Sequence, residues 1–262
     1  MNSNKYTTPI KLTFLGTGTS QGVPVVACDC YVCTSEDCRD NRLRSSVLLQ
    51  INDTNIVIDA GPDFRYQMLR EKIKKLNAVI LTHGHKDHSG GLDDVRAYNY
   101  FMKKPMDIYA TEEVNKQIMN EYAYAFGENK YPGVPDFNLH TIKNEIFSIN
   151  NIEIQPVEVL HYKLPIFGYR IGNLAYITDA SYISDNEKNK IKDVKILIVN
   201  ALRHKKHYSH FNVEEALELI SEINPQSAYL THLSHQIGLT SELEKELPSN
   251  VHVAYDGLQI EC

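Results

Sequence analysis

The sequence is short of positive charge and of long apolar stretches, and both shortages exclude classes of function. Its 262 residues carry 27 lysines and arginines against 33 aspartates and glutamates, a formal net charge of -6 at pH 7. We expect no nucleic-acid partner, because an anionic polymer would need a local basic patch. The longest apolar runs, such as Ala78–Leu81 and Ile196–Val199, are far too short to cross a bilayer.

The chain also lacks a targeting signal and any internal division. Residues 1–9 are polar and contain no apolar core of signal-peptide length, so we expect a soluble cytoplasmic protein that binds no membrane. No repeat, low-complexity tract or Pro/Ser-rich linker interrupts the sequence. We therefore predict a single domain over residues 1–262.

Cysteine is scarce, and its placement indicates metal binding. There are five cysteines, and all except the last residue lie between positions 28 and 38. An odd number disfavours a fully paired disulfide framework, and such crowding in a cytosolic chain is typical of a metal clip. Cys28, Cys30 and Cys33 offer three thiolates, whereas a tetrahedral zinc needs four ligands. Cys38 is close in sequence, and His235 is the alternative fourth ligand.

The hydrophobic pattern predicts strands and helices in alternating groups. The predicted strands are Ile10–Leu15, Ser46–Ile51, Asn55–Ile58, Asn77–Thr82, Ile152–Val159, Phe167–Ile171, Leu174–Thr178, Ile196–Val199, Ser227–Thr231 and Val251–Tyr255. The predicted helices are Leu92–Lys103, Glu112–Phe126, Asp185–Ile191 and Val213–Ile223. This order suits two sheets between helical layers. A single doubly wound sheet is disfavoured, because no Gly-rich phosphate loop opens a helix after the first strand.

The most informative segment is the loop after the strand Asn77–Thr82, which brings three histidines and an aspartate close together. In extended backbone, His83 and His85 point the same way because side chains alternate. Asp87 and His88 can then face a second position nearby. Zinc and neighbouring metals accept such a mixture of imidazole and carboxylate ligands. A polar loop of solvated histidines is the competing interpretation.

Further ligands are expected at other strand ends, because one loop cannot close two coordination spheres. His161 precedes the predicted strand Phe167–Ile171, Asp179 ends Leu174–Thr178, and His232 ends Ser227–Thr231. Each alone is an ordinary strand-end residue, a turn former or a backbone cap. Their appearance together, after the histidine loop, favours a metal centre.

The histidine loop followed by His161, Asp179 and His232 resembles the five-motif pattern of the metallo-β-lactamase superfamily. Asp59, in Ile56-Val57-Ile58-Asp59-Ala60-Gly61, resembles that family's first motif. The resemblance runs from about residue 10 to residue 257. It implies an α/β fold, the four-layer αββα sandwich, with metals at one edge of the two sheets.

The resemblance implies two divalent metals in the active site, Zn or Mn, with Fe as a further candidate. The first is held by His83, His85 and His161, the second by Asp87, His88 and His232, and Asp179 bridges both. Asp59 would orient the histidine loop, with a plain turn former as the alternative. An aspartate bridge is typical of phosphodiester-cleaving members, whereas β-lactamases often place a cysteine near this role. A hydroxide bridging the metals would be the nucleophile.

The cysteine motif resembles a subgroup of the same superfamily, the cyclic phosphodiesterases of bacterial phosphonate breakdown. That subgroup closes its clip with a histidine three residues after the last active-site ligand, the spacing of His235 from His232. The resemblance therefore implies a structural zinc, with Cys38 and Cys262 free. Its ligands would be Cys28, Cys30, Cys33 and His235.

The segment before the last ligand offers a proton donor. His210 resembles the histidine that phosphodiesterase members place there, so we predict it as the general acid. Relatives often pair it with an aspartate at the end of the preceding strand, and Asn200 occupies that place here. Asparagine can orient an imidazole but cannot stabilise imidazolium as a charge would. Asp87, His210 and Asn200 are our candidates for catalysis; His204 and His207 are expected in a solvated loop, with substrate binding by His207 left open.

These residues favour a metal-dependent phosphodiesterase acting on a small cyclic or nucleotide-like diester. A tRNA 3′-end endonuclease shares the ligand pattern, but its RNA-gripping extension is not matched by Glu121–His140, which has few basic residues. We interpret this stretch, with Tyr122, Tyr124, Tyr131 and Pro132, as a lid over a small substrate. Lactonases, thioester hydrolases and isothiocyanate hydrolases remain alternatives, as does a non-enzymatic accessory protein of cofactor biosynthesis. A homodimer is left open.

Overall fold

The computed structural model describes residues 9–127 and 130–262. Its strands are β1 (Ile10–Gly16), β2 (Ser46–Ile51), β3 (Thr54–Ile58), β4 (Ala78–Ile80), β5 (Met106–Ala110), β6 (Phe137–Thr141), β7 (Phe147–Ile149), β8 (Ile152–His161), β9 (Leu164–Ile171), β10 (Leu174–Ile177), β11 (Tyr182–Ile183), β12 (Ile196–Asn200), β13 (Ser227–Thr231), β14 (Val251–Val253) and β15 (Gln259–Glu261). Its helices are α1 (Phe64–Arg70), α2 (Lys86–Ser89), α3 (Arg96–Met102), α4 (Glu112–Glu121), α5 (Asp185–Asn189), α6 (Val213–Ile223) and α7 (Thr240–Leu243).

The strands form two sheets. One has the order β15-β1-β2-β3-β4-β5-β6, and the other β11-β8-β9-β10-β12-β13-β14, with β7 paired to β8. Strands β3, β4 and β5 run parallel, as do β10, β12, β13 and β14. Because the carboxyl ends of parallel strands meet at one edge of a sheet, the residues that follow them gather there.

Alternation of apolar residues explains why each sheet is covered on both faces. In β2, Val47 and Leu49 belong to the core between the sheets, whereas Leu48 packs in the outer core with Phe64 of α1. In β12, Ile196 and Ile198 face the inner core, whereas Leu197 and Val199 join the cluster under α6. Side chains alternate along a strand, so two buried faces require apolar residues at every position. The layers are helix, sheet, sheet, helix, which confirms the predicted αββα sandwich.

Helix α6 shows how local sequence sets an element. Asn212 accepts a hydrogen bond from the backbone N–H of Glu215 at 2.8 Å, and the Glu215 carboxylate accepts one from the Asn212 N–H at 3.1 Å. This reciprocal capping box satisfies two donors at the helix start. The predicted bounds of this helix are confirmed to the residue.

A buried ionic network joins the loop after β1 to the end of the chain. Arg42 is buried and donates to Thr17 Oγ1 at 2.9 Å and to the carbonyl of Ala254 at 2.6 Å. Asp256 accepts from the Leu43 N–H and from Thr17 Oγ1, each at 2.8 Å. Burial raises the pKa of Asp256 to about 6. The network fixes the loop on which the cysteines lie.

The residues of the predicted lid, 121–140, lie in different surroundings, and residues 128 and 129 of it fall outside the described part of the chain. Residues 137–141, the end of the predicted insert, form the edge strand β6. Tyr122 is buried in the outer core and donates to the carbonyl of Ser89 at 3.1 Å, so it supports the histidine loop from below. It does not cover a substrate, because its ring packs under the sheet. Tyr131 is 80% exposed.

Among the described residues, no helix is long and apolar enough to cross a membrane.

Candidate metal centre

The predicted site residues lie at the edge where the parallel strands of both sheets end. Asp59 directly follows β3 and His232 directly follows β13, whereas one residue separates Asp179 from the end of β10. All three have left-handed backbone, with φ of 67°, 56° and 57°. For residues other than glycine this conformation is strained, and such strain concentrates at functional sites.

His83, His85 and His161 form one group of candidate ligands, whose ligand atoms lie within 4.8 Å of one another. His83 Nε2 is 3.0 Å from His85 Nδ1. His161 Nδ1 lies 3.0 Å from the carbonyl of Asp179 and 2.9 Å from that of Ser209. Because carbonyl oxygens only accept, Nδ1 must carry the proton and Nε2 is left with a free lone pair. A metal-ligating histidine is typically held in this way.

Asp87, His88, His232 and Asp179 form the second part of the centre. Oδ2 of Asp179 lies 3.1 Å from His88 Nε2 and 3.2 Å from His232 Nδ1. His88 Nε2 is also 3.2 Å from Asp87 Oδ2. A carboxylate oxygen of Asp179 also lies within 4.8 Å of a ring nitrogen of His83 and of His161, so Asp179 stands between the two groups, where the resemblance implied a bridge. Every predicted active-site metal ligand reaches this one edge.

Burial and mutual charge control the ionisation of the cluster. Burial alone would raise the pKa of Asp179, but the imidazoles of His232 and His88 lower it well below its ordinary value. Asp87 follows the same pattern: burial opposes ionisation, yet His88 lowers its pKa. Burial lowers the pKa of His83 well below the ordinary range. His88 differs: although burial acts to lower its pKa, the carboxylates of Asp179, Asp59 and Asp87 raise it well above its ordinary value, so a cation bound by His88 would displace a proton.

Buried ring nitrogens give a second indication that the described residues can bind a metal. His232 Nε2 is buried and has no hydrogen-bond partner in the described part of the chain, and the buried His88 Nε2 has none apart from the neighbouring carboxylates of Asp87 and Asp179. Unpaired buried nitrogens are destabilising, typically by about 1–3 kcal/mol each. Cations bound between the two histidine groups would use this ligand capacity, and the nitrogen and oxygen donor set suits zinc or manganese.

Asp59 lies behind the ligands and holds them. Its carboxylate accepts from the Thr82 N–H at 2.8 Å and lies 2.7 Å from His88 Nδ1. A threonine precedes three of the site residues, in Thr82-His83, Thr178-Asp179 and Thr231-His232. Thr178 Oγ1 donates to Asp179 Oδ2 at 2.8 Å. The sequence analysis missed these threonines, and their repeated position before a ligand was the available signal.

The cysteine clip is assembled as the resemblance implied. His235 Nδ1 lies 3.3 Å from the Sγ of Cys28 and 3.4 Å from those of Cys30 and Cys33. A tetrahedral zinc, with Zn–S near 2.3 Å and Zn–N near 2.0–2.1 Å, separates sulfur from nitrogen by about 3.5 Å. Cys38 is exposed and outside this group. The four residues therefore fit one structural zinc.

Backbone hydrogen bonds join the loop that leads to the clip to Leu233, the residue after His232. The Leu233 N–H donates to the carbonyl of Thr17 at 2.9 Å, and the Thr19 N–H donates to the carbonyl of Leu233 at 3.1 Å.

A hydrogen bond from the Cys33 backbone lowers the pKa of the Cys30 thiol to about 6, while burial raises that of Cys33 to about 11. A bound cation would also deprotonate the Cys33 thiol.

His210 lies within the centre, and Asn200 does not contact it. The His210 ring is 4.7 Å from that of His161 and 4.9 Å from that of His232, and burial lowers its pKa to about 3. The Asn200 amide is paired with the backbone of Ala180, accepting at 2.8 Å and donating at 3.0 Å. In the described residues no hydrogen bond joins Asn200 to His210, so the orienting contact that the sequence left open is not made. Asn200 instead positions the residue after Asp179.

A cleft of about 560 Å³ borders the centre on the side of α4. One wall is the backbone and side chains of His83 and His85, and the opposite wall is the β8–β9 hairpin. Its apolar lining includes Val114, Ile142, Leu164, Pro165 and Phe167. The cleft can receive a mostly apolar group next to His85, which is exposed.

Comparisons with known proteins agree with this geometry. The sequence profile of the β-lactamase superfamily domain matches residues 54–233. A crystal structure described as a new diphosphatase from the PhnP family superposes with a TM-score of 0.91 at 37% identity, covering 97% of each chain.

Two curated relatives carry different names. A protein of Porphyromonas gingivalis named octanoyltransferase is 41% identical over 254 residues, which is 95% of this chain and 51% of that protein. A ribonuclease Z of Nostoc is 28% identical over 169 residues, or 62% of this chain and 46% of the relative. The chain thus spans about half the length of the curated relatives it matches.

Proposed function

This chain belongs to the metallo-β-lactamase superfamily, and from that membership we propose that it is a two-metal hydrolase of small phosphoric diesters. The observation that carries the proposal is the position of Asp179. Its carboxylate lies 3.1 Å from His88 Nε2 and 3.2 Å from His232 Nδ1, and a carboxylate oxygen also lies within 4.8 Å of a ring nitrogen of His83 and of His161. One residue therefore touches both halves of the centre, as required for a bridge between two cations.

The candidate ligands would have the following roles in metal binding. His83, His85 and His161 would hold one cation, Asp87, His88 and His232 the other, and Asp179 would keep the two at a fixed separation. Bound cations supply Lewis acidity at phosphorus and lower the pKa of water.

His210 would provide the proton for the leaving oxygen. Its ring lies 4.7 Å from that of His161 and 4.9 Å from that of His232, so it faces the space between the two halves. Its buried Nδ1 lies 3.7 Å from Asp179 Oδ1 and has no hydrogen-bond partner among the described residues. Burial lowers the pKa of His210 to about 3, so proton transfer from this imidazole to a departing alkoxide requires that the bound phosphate anion raise that pKa in the complex.

The similarity to a PhnP-family diphosphatase supports phosphorus as the reacting centre, and two alternatives have support of their own. The octanoyltransferase relative and the apolar cleft beside His85 favour attack on an acyl thioester. The ribonuclease Z relative favours a precursor tRNA, although the net charge of -6 weakens that proposal. The complete ligand set disfavours a non-enzymatic accessory role.

The test is a comparison of three substrate classes on protein loaded with Zn²⁺ or Mn²⁺. Turnover of bis(p-nitrophenyl) phosphate is measured beside that of p-nitrophenyl octanoate, octanoyl-coenzyme A and a precursor tRNA. Asp179→Asn, which is nearly isosteric, serves as the background control. We expect metal-dependent cleavage of the diester that the variant loses.

Other outcomes would redirect the proposal. Faster metal-dependent cleavage of the octanoyl thioester than of the diester would replace it with a carbon-centred hydrolase. Endonucleolytic cleavage of the tRNA, with little activity on small diesters, would replace it with RNA processing.

A further inference from the structure

A row of aromatic rings leads from the metal centre to the surface. The ring of His210 is 5.3 Å from that of His207, which stacks on Tyr208 at 4.5 Å, and Tyr208 meets Tyr162 edge-on at 5.4 Å. We call His207, Tyr208 and Tyr162 the aromatic rim. Tyr208 is 72% exposed and Tyr162 is 52% exposed. Large ring faces are therefore open to solvent next to the reacting edge.

The bonds that hold the candidate ligand His161 also hold the rim. Tyr162 directly follows His161, has a left-handed backbone with φ of 56°, and donates its N–H to Ser181 Oγ at 3.0 Å. On the other side, Ser209 follows Tyr208, and its carbonyl lies 2.9 Å from His161 Nδ1. His207 Nδ1 is 3.1 Å from Ser209 Oγ, which fixes its ring. Both loops are thus placed rigidly relative to the centre.

Such a rim suits a planar ligand better than an aliphatic one. Phenol and imidazole faces stack on nucleobases, and this stacking tolerates any base because each has a π-face. Lys163 adds a positive charge, with its Nζ 5.3 Å from the centroid of the Tyr162 ring. The ring centroids of His210, His207 and Tyr208 follow one another at 5.3 Å and 4.5 Å, a separation that the sugar of a nucleoside can span.

We propose that the aromatic rim binds the base of a nucleoside phosphoester whose phosphorus lies at the metal centre. The inference rests on the proposed function for the reaction, and it adds the substrate class: small nucleotides recognised by stacking on Tyr208 and Tyr162. Hydrolysis breaks the bond from phosphorus to the leaving oxygen, adds water's oxygen to phosphorus, and leaves the proton on the departing alcohol or phosphate.

The kinetic test uses two esters with the same leaving group. Thymidine 5′-phosphate p-nitrophenyl ester carries a base, and methyl p-nitrophenyl phosphate does not. For the metal-loaded enzyme we expect Tyr208→Ala and Tyr162→Ala to raise KM for the thymidine ester about 5- to 100-fold, the usual effect of removing a stacking ring. Neither should change kcat greatly or affect the methyl ester. Tyr208→Phe should retain the wild-type KM, because it keeps the ring.

A binding measurement separates this inference from the proposed function. Calorimetric titration of the metal-loaded protein with AMP and with ribose 5-phosphate requires no turnover. We expect AMP to bind more tightly, and the two alanine variants to lose that preference. Tyr66→Ala, an exposed tyrosine on α1, is the matched control and should leave it unchanged.

Each outcome has a definite meaning. Suppose that both esters are hydrolysed with the same KM by wild type and variants, and that AMP and ribose 5-phosphate bind equally. This result would contradict base binding by the aromatic rim and would still support the proposed phosphodiesterase activity. A rim-dependent preference for AMP without hydrolysis of either ester would support the rim and contradict the proposed function. Tight rim-dependent binding of an RNA oligonucleotide, with no preference for AMP, would overturn the small-nucleotide class.

Discussion

His88 Nδ1 lies 2.7 Å from Asp59 Oδ2, and both side chains are completely buried. The carboxylate therefore fixes the tautomer that leaves His88 Nε2 free toward Asp87 and Asp179. Burial raises the pKa of Asp59, while contact with His88 opposes that rise. The pair links β3 to the histidine loop, so the geometry of the ligands depends on a residue that touches no metal.

The first prediction concerns Asp59. Asp59→Asn keeps the size of the side chain but weakens the charge-assisted bond to His88, so we expect a 10- to 100-fold loss of metal affinity, roughly the effect of removing such a supporting partner. Zinc affinity is measured by competition with a chelator. Asp53→Asn, exposed in the turn after β2, is the control. An unchanged affinity in Asp59→Asn would mean that packing alone orients His88.

The second prediction concerns the clip. His235→Ala removes the only nitrogen of the group formed with Cys28, Cys30 and Cys33, so the protein should lose one zinc and keep both active-site metals. We expect a loss of about 2 kcal/mol or more, which would lower Tm by about 4–8 °C in a chain of this size. Metal content by mass spectrometry and thermal unfolding are the measurements. Cys38→Ser should change neither, and loss of zinc in that variant would assign Cys38 to the clip.

The third prediction separates acid catalysis from metal binding. If His210 protonates the leaving group, His210→Ala should slow cleavage of an alkyl diester by about 10²- to 10⁴-fold. The p-nitrophenyl diester should slow much less, because its leaving group needs little protonation. Metal content should stay the same. Equal loss for both leaving groups would assign His210 to metal or substrate binding; His252→Ala, an exposed histidine on β14, is the control.

The fourth prediction concerns pH. The folded protein raises the pKa of Asp256 from 3.8 to about 6 through burial, so between these values the folded state binds more protons than the unfolded state. The free energy of unfolding should then fall as pH rises through this window, by about 2–3 kcal/mol for this group.

That contribution is isolated by subtraction. Urea unfolding of wild type and Asp256→Asn is measured at a series of pH values. The free energy of unfolding of wild type minus that of the variant should fall from about pH 4 to pH 6 and then level off. A difference that rises with pH would show that Arg70, 3.5 Å from Asp256, keeps the carboxylate ionised.

The gathering of the histidine loop, Asp179 and the clip residues could be predicted, because the family resemblance implies a ligand role for each of these positions. The contacts of Asn200 could not, since its amide can pair equally with an imidazole or a backbone, and only the position of Ala180 decides. Tyr122 was misinterpreted because a tyrosine in a polar stretch gives no sign of which face it covers. Helix α1 was missed because its seven residues are too few for a clear period. The aromatic rim depends on two loops that meet only in the fold.

The 202 positions between Cys33 and His235 give the clip a role in chain topology. A cation that holds both residues closes most of the polypeptide into a loop. Bringing these residues together in the unfolded chain would cost about 5 kcal/mol of conformational entropy, so the four ligands meet only after most of the chain is ordered. The clip would thus form late in folding, and a chelator would lower the stability of the folded state without changing the unfolded ensemble.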